Sequence, residues 1–359
     1  MPTNWRLLPF LFLALCHLVY SYSNVPHHSK SWDLKHFKTL ISFGDSLTDR
    51  ARLAYIFNNN GSLPPSNNTP TGGYNWLHYI ANPSHASPST THDGTTVYNY
   101  AVSGAVCSQK ITPLYLLDTL IPSFLEYEIP AYIADSASPD TPIPNPTHAA
   151  DQTVYAIWIG TNDLANHGFL TDMQAPNRTI PDSMDCIYAG LDELYARGAR
   201  YFVLMNIPPM QLTPLFGTPG RGGVGETWAW PDKPGNITRV SYRMWQQVAM
   251  VNEVLRYRTG YEVLVAGRYA GARFALMDVN GLMTHIYNNP DEYLAAPANV
   301  TGYNNHCNLD MSDCQRLENP ESFMWFDYSH PSQRTEQIIG EHFLGVVRGA
   351  SKWAMYFGG

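Results

Sequence analysis

Long apolar runs, basic patches and metal-ligand spacings are all scarce in this chain, and each shortage removes a class of protein. The extended apolar run LLPFLFLALCHLVY, at 7–20, falls short of the roughly 20 residues that a bilayer-spanning helix needs. No later stretch is long enough to span a bilayer, and the tail KWAMYFGG is no lipid-anchor signal, so stable membrane association is not expected. Lys and Arg number 22 against 30 Asp and Glu, with no basic stripe, which argues against nucleic acid as a partner. None of the 13 histidines forms an HExxH pair, so a zincin-type metal site is not expected. GRGGVG (220–225) satisfies G-x-G-x-x-G, but it lies in a Pro-rich loop rather than between a strand and a helix, so no dinucleotide site is read there.

The apolar run itself has a use. Arg6 precedes it, and Val19 and Ser21 offer small residues for cleavage, so residues 1–22 are expected to be a secretory signal peptide, cut after Ser21 or Ser23. Residues 23–359 then form the mature chain. Asn-x-Ser/Thr sequons at Asn60, Asn67, Asn177, Asn236 and Asn299 fit a glycosylated extracellular surface. Cys16 leaves with the leader, and the four remaining cysteines allow three connectivities. Cys307 and Cys314 bracket the short polar loop NLDMSD and are expected to pair, leaving Cys107 with Cys186, as suits an oxidising compartment.

One pattern runs through the mature chain, without internal repeat or domain linker, and implies a single domain. TLISF (39–43), TVYNYA (96–101), TVYAIWI (153–159), RYFVLMNI (200–207) and RFALMDV (273–279) are largely apolar on consecutive positions, as strands covered on both faces should be. Amphipathic segments lie between them. In 185–197, Ile187, Leu191, Leu194 and Tyr195 share a helical face, and Gly198 is placed as its C-terminal cap. Beyond Pro331, Ile339, Phe343 and Val347 predict a closing helix. The alternation predicts an α/β fold with a parallel sheet between helices, and ligands beyond the carboxyl ends of its strands. The stretches 58–73, 136–148 and 216–235, rich in Gly, Pro and Asn, are loops.

Chemistry-bearing residues stand at those strand ends. TLISF runs into Gly44-Asp45-Ser46-Leu47, with Thr48 and Asp49 expected to open a helix; Ser46 would project above the sheet with its N–H aimed at whatever its oxygen attacks. Gly104, in AVSGA, lets a backbone N–H approach a ligand. Asn162, in GTNDL, is a neutral donor suited to a developing oxyanion. Asp327 and His330, in WFDYSHPS, are three apart, so the acid can hold the imidazole from behind while its other nitrogen faces a serine. Singly, each has a plain structural explanation as a cap or turn. Together they make a candidate nucleophile, base, acid and oxyanion hole.

In that order, GDSLTD, the glycine of AVSGA, GTNDL and DYSH resemble the blocks of the GDSL, or SGNH, hydrolase superfamily. VYNYAVSGAVC, AIWIGTNDL, YFVLMNIPPMQLTPL, FALMDVNGLM and MWFDYSHPS are similar to segments of secreted fungal acetylesterases grouped as carbohydrate esterase family 16, over roughly residues 32–350. The resemblance implies a three-layer α/β/α, flavodoxin-like fold with a five-stranded parallel sheet. It implies Ser46 as nucleophile, with Asp327 and His330 as its partners, and Gly104 and Asn162 as oxyanion donors beside the Ser46 N–H. No cofactor is implied. The substrate would be an acetylated oligosaccharide or another small ester, and a monomer is expected. Trp228 and Trp230 are taken as exposed aromatics suggestive of sugar stacking. A lipase or lysophospholipase with the same machinery, and an inactive glycan-binding relative, are the alternative readings.

Overall fold

The structure is a computed structural model that describes residues 37–59, 74–81, 95–116, 118–141, 143, 146, 147 and 149–358, together with Trp32 and Leu34. The leader, Cys16 and the sequons at Asn60 and Asn67 lie outside the described residues.

Six strands form the central sheet: β1 (Thr39–Gly44), β2 (Thr96–Asn99), β3 (Thr153–Trp158), β4 (Tyr201–Met205), β5 (Arg273–Met277) and β6 (Ala354–Phe357). Their order is β6-β5-β4-β3-β1-β2. The five strands read from the sequence pair in parallel, in the flavodoxin-like order. The sixth was not foreseen: the tail of the chain returns antiparallel along β5, Ala354 opposite Met277 and Phe357 opposite Phe274, and covers what would be an open edge.

Every residue of β1, β3 and β4 is buried, as their largely apolar character requires, and the Ser42 hydroxyl within β1 donates to Asn99 Oδ1. Alternate side chains serve opposite faces. Phe43, Ile157, Leu204 and Phe274 belong to one core, and Leu40, Ala156, Met205 and Met277 to the other. The first core receives helix α4 (Ile180–Ala196) through Ile187, Leu191 and Leu194, and the 24-residue helix α5 (Ile237–Gly260) through Met244, Val248, Val251 and Leu255. The second receives α2 (Trp76–Ala81), α6 (Val279–Asn288) and α7 (Gln333–Val347). Three layers result, α/β/α. α1 (Arg52–Asn59) follows the first strand, and α3 (Ile129–Ala137) continues a wide turn over Phe124–Glu128.

Element ends follow local chemistry. α4 starts at Ile180, earlier than the apolar spacing predicts, because Thr179 and Asp182 form a reciprocal capping box. It ends where Gly198 takes φ +105° and its N–H donates to the Tyr195 carbonyl at 3.0 Å. α7 is capped by the Ser332 side chain, which accepts from the Thr335 N–H, so Pro331 stands just outside the helix. Cys107 is bonded to Cys186, tying the loop after β2 to α4, and Cys307 is bonded to Cys314 across a small antiparallel ribbon.

Candidate active site

The chain passes from β1 to β2 on one side, then crosses to β3 on the other, which opens a crevice beyond the carboxyl ends of these three strands. Ser46 follows β1, Gly104 follows β2 and Asn162 follows β3. Asp327 and His330 enter from the segment between the short strand Phe323–Trp325 and α7. All five are half-buried, as groups lining a cleft should be.

The Ser46 turn is built around Gly44. A Cβ at Gly44 would stand 2.3 Å from the Trp158 carbonyl oxygen, so only glycine lets β1 end so close to β3. The chain then turns once, with the N–H groups of Thr48 and Asp49 both donating to the Asp45 carbonyl. The expected helix at Thr48 and Asp49 does not form there. Ala51 adopts φ +69° and α1 begins only at Arg52, where the Asp49 carboxylate accepts from the Arg52 and Leu53 N–H groups. The Ser46 N–H therefore belongs to a tight turn, with no helix dipole behind it. Below the turn, Asn99 and Asn75 each donate to the Thr48 carbonyl, at 2.8 and 2.9 Å.

His330 Nε2 lies 2.9 Å from Ser46 Oγ. Its Nδ1 lies 2.9 and 3.0 Å from the two carboxylate oxygens of Asp327. With the Nδ1 proton held by the carboxylate, Nε2 is left to accept from the serine hydroxyl. Burial alone would push the Asp327 carboxyl up. The His330 charge, the ring hydrogen bond and the Ser329 and His330 N–H groups outweigh it and hold Asp327 below its usual range. Burial likewise pushes the His330 ring down, but the Asp327 carboxylate, with a smaller contribution from Asp45, leaves it above the ordinary imidazole value.

Asn162 Nδ2 donates one proton to the Ala105 carbonyl at 3.0 Å, which orients the amide and leaves its second proton for the cleft. Gly104 sits at φ +80°, and a Cβ there would meet the Ile121 side chain at 2.7 Å. The Ser103 N–H and hydroxyl both donate to Asp49 Oδ2, at 2.9 and 2.7 Å, which fixes the Gly104 amide against the Ser46 turn.

Sequence reasoning missed these supports. Asp45, Asp49, Asp163 and Glu128 are fully enclosed carboxylates beneath the cleft. Asp163 accepts from the Cys107 N–H and the Thr112 and Ser183 hydroxyls, and so holds the Asn162 turn to the loop after β2. Glu128 accepts from the Gly44 N–H at 2.9 Å. Burial raises the Asp45 carboxyl to about 7, against the Leu47 N–H and the His330 charge, and carries Glu128 well above its ordinary value. Three of these acids stand inside the quoted motifs GDSLTD and GTNDL, so their position was a signal; Glu128 had none. The expectation for the two tryptophans is corrected in part. Trp228 is 47% exposed, but Trp230 is 3% exposed, packed against Phe216 at 6.1 Å between ring centroids. Its N–H and carbonyl bridge to Thr227, which turns the side chain inward. Among the described residues no cluster of His, Cys, Asp and Glu could hold a metal ion.

A proton acceptor within hydrogen-bond distance of one hydroxyl, and held from behind by a carboxylate, is an arrangement suited to acyl transfer. The chain matches the GDSL-like lipase/acylhydrolase family over residues 40–343, and it belongs to that family. It is a carboxylic ester hydrolase. It is 35% identical over 334 residues to an acetylesterase of Hypocrea jecorina, covering 89% of this chain and 92% of that one. It is 30% identical over 187 residues to an acetylesterase of Thermothelomyces thermophilus, covering 49% of this chain and 55% of that one. Among solved structures, an acetylxylan esterase of Geobacillus stearothermophilus aligns over 89% of this chain and 97% of its own, at 14% identity and a TM-score of 0.35.

Replacing Asn162 with alanine should lower kcat by about 100- to 1,000-fold, or about 3–4 kcal/mol, with a smaller change in KM. An unchanged kcat would remove this amide from the oxyanion site. The raised His330 pKa has a sign that can be measured. Below it Nε2 is protonated and cannot accept from Ser46, so kcat/KM should climb with pH through a midpoint above about 6.5. A midpoint at or below that value would show that the Asp327 carboxylate does not govern the ring.

Proposed function

We propose that the protein is a secreted serine acetylesterase that removes acetyl groups from hemicellulose-derived oligosaccharides. His330 takes the Ser46 proton as Oγ attacks the ester carbonyl. The Ser46 and Gly104 N–H groups and the Asn162 amide hold the resulting oxyanion. The alcohol leaves with the proton from His330, and water resolves the acyl-enzyme by the same steps in reverse. Asp327 keeps the tautomer and stabilises the imidazolium. The observation that carries this mechanism is the continuous contact Asp327–His330–Ser46, two hydrogen-bond lengths closed at 2.9 Å each. Acetyl as the acyl group is supported by the Hypocrea jecorina relative, which aligns over nearly its whole length. The sugar rests on the segment-by-segment resemblance to carbohydrate esterase family 16.

Secretion as a single mature domain over 23–359 accords with the apolar leader, with the disulfides Cys107–Cys186 and Cys307–Cys314, and with the exposed sequons Asn177 and Asn236. Asn299, half-buried, accepts through its Oδ1 from the Gly302 N–H at 2.7 Å, which leaves the amide nitrogen for a glycan. The proposal treats the protein as a monomer. A series of nitrophenyl esters from acetate to octanoate and longer tests the acyl preference: acetate should give the highest kcat/KM. A rise with chain length, and further activation at a lipid interface, would favour the lipase or lysophospholipase reading. Loss of acetyl signals from xylo- and manno-oligosaccharides, followed by NMR, tests the sugar.

A further inference from the structure

We propose that a cavity outside the catalytic cleft is an accessory binding site for an oligosaccharide. It is a half-open hollow of about 600 Å³ between the loop after β4, the first turns of α5 and the second half of α6, and none of Ser46, Gly104, Asn162, Asp327 and His330 lines it. That volume falls within the range of small-ligand sites.

Two features of its wall fix the ligand chemistry. Tyr242 and Trp245 stand one turn apart on α5, 57% and 48% exposed, with ring centroids 5.6 Å apart and planes tilted by 36°. Rings left in water at the rim of a concavity offer apolar faces to a partner that is itself partly apolar, such as the C–H face of a sugar ring. The rest of the wall is mixed, with Leu212 and Tyr287 beside the polar side chains of Arg221, Thr284 and Asn288. A hydrocarbon ligand would leave the Arg221 guanidinium and the Asn288 amide unmet. A polyhydroxylated chain offers C–H faces to the rings and hydroxyls to the Arg221, Thr284 and Asn288 side chains together.

The glycine-rich GRGGVG stretch, unused by the catalytic residues, forms part of this wall. Gly222 takes φ +78°, and a Cβ there would come within 2.0 Å of the Thr301 carbonyl oxygen, so the loop that presents Arg221 packs backbone against backbone. The same loop is fastened to the catalytic side: the Leu215 N–H donates to the carbonyl of Tyr328, the neighbour of Asp327, at 2.6 Å. This inference rests on the reading of the substrate as an acetylated oligosaccharide, since that reading supplies the ligand.

The test uses the full-length Ser46→Ala protein, titrated with unacetylated xylotetraose and mannotetraose by calorimetry and tryptophan fluorescence. Saturable binding of one of them is expected, weakened about tenfold or more when Trp245→Ala or Tyr242→Ala is added, with thermal unfolding confirming that each variant folds. Equal affinity with and without Trp245 would overturn the proposal, as would no saturable binding of either sugar. Acetyl release from acetylated oligosaccharides by the wild-type protein is followed separately. If release is absent while Trp245-dependent binding persists, the substrate reading fails and the accessory site stands.

Discussion

The Ser46→Ala protein is expected to lose turnover on an activated acetate ester by up to about a millionfold, with its fold and thermal stability close to wild type. The hydroxyl removed is half-buried in a cleft and its Oγ faces His330 Nε2 at 2.9 Å, so its loss opens no sizeable core cavity. The turn that carries it is held by other atoms: the Asp45 carbonyl, the Asn99 and Asn75 amides, and Glu128 on the Gly44 N–H. Stability and catalysis are therefore separable at this residue. A variant that melts normally yet hydrolyses acetate esters at an ordinary rate would mean that another group is the nucleophile.

The second large effect belongs to Asp327→Asn, expected to lower kcat by about 10,000-fold while preserving shape. The carboxylate accepts from the ring and from the Ser329 and His330 N–H groups at once. An amide there can present its N–H₂ to Nδ1, which would move the ring proton to Nε2 and leave Ser46 without an acceptor. The pH profile should change with the rate. Without the negative charge, burial is left to push the His330 ring down, so the acid limb should shift to lower pH as the plateau falls. An intact plateau and an unmoved midpoint together would remove Asp327 from the mechanism.

The strands and the chemical groups were legible in the sequence because both depend on local pattern. Five largely apolar runs rich in β-branched and aromatic residues read as strands, and each proved to be one, though β2 lies at the sheet edge and is only partly covered. Glycine, serine, asparagine and the Asp–His pair then stood just past strand ends, or just before a helix, where an open sheet exposes side chains. Long-range compensation was less legible. The tail's return along β5 depends on an edge that exists only once the sheet has formed, and AMYF carries no mark of its partner. The displaced start of α1 turns on Ala51 taking a left-handed conformation, which residue type alone argues against. The inward turn of Trp230 required knowing where Phe216 lay. Glu128, enclosed 84 positions from the Gly44 amide it accepts from, had no sequence signal at all.

The central claim is that one hydroxyl, that of Ser46, is made nucleophilic by His330. The most direct measurement is covalent capture: treat the protein with an activated organophosphonate ester and locate the added mass by peptide mass spectrometry. The account predicts a single phosphonylated peptide, the one carrying Ser46, with labelling suppressed in the His330→Ala protein. A phosphonyl group on a different residue, or labelling of Ser46 that proceeds equally well without His330, would contradict it.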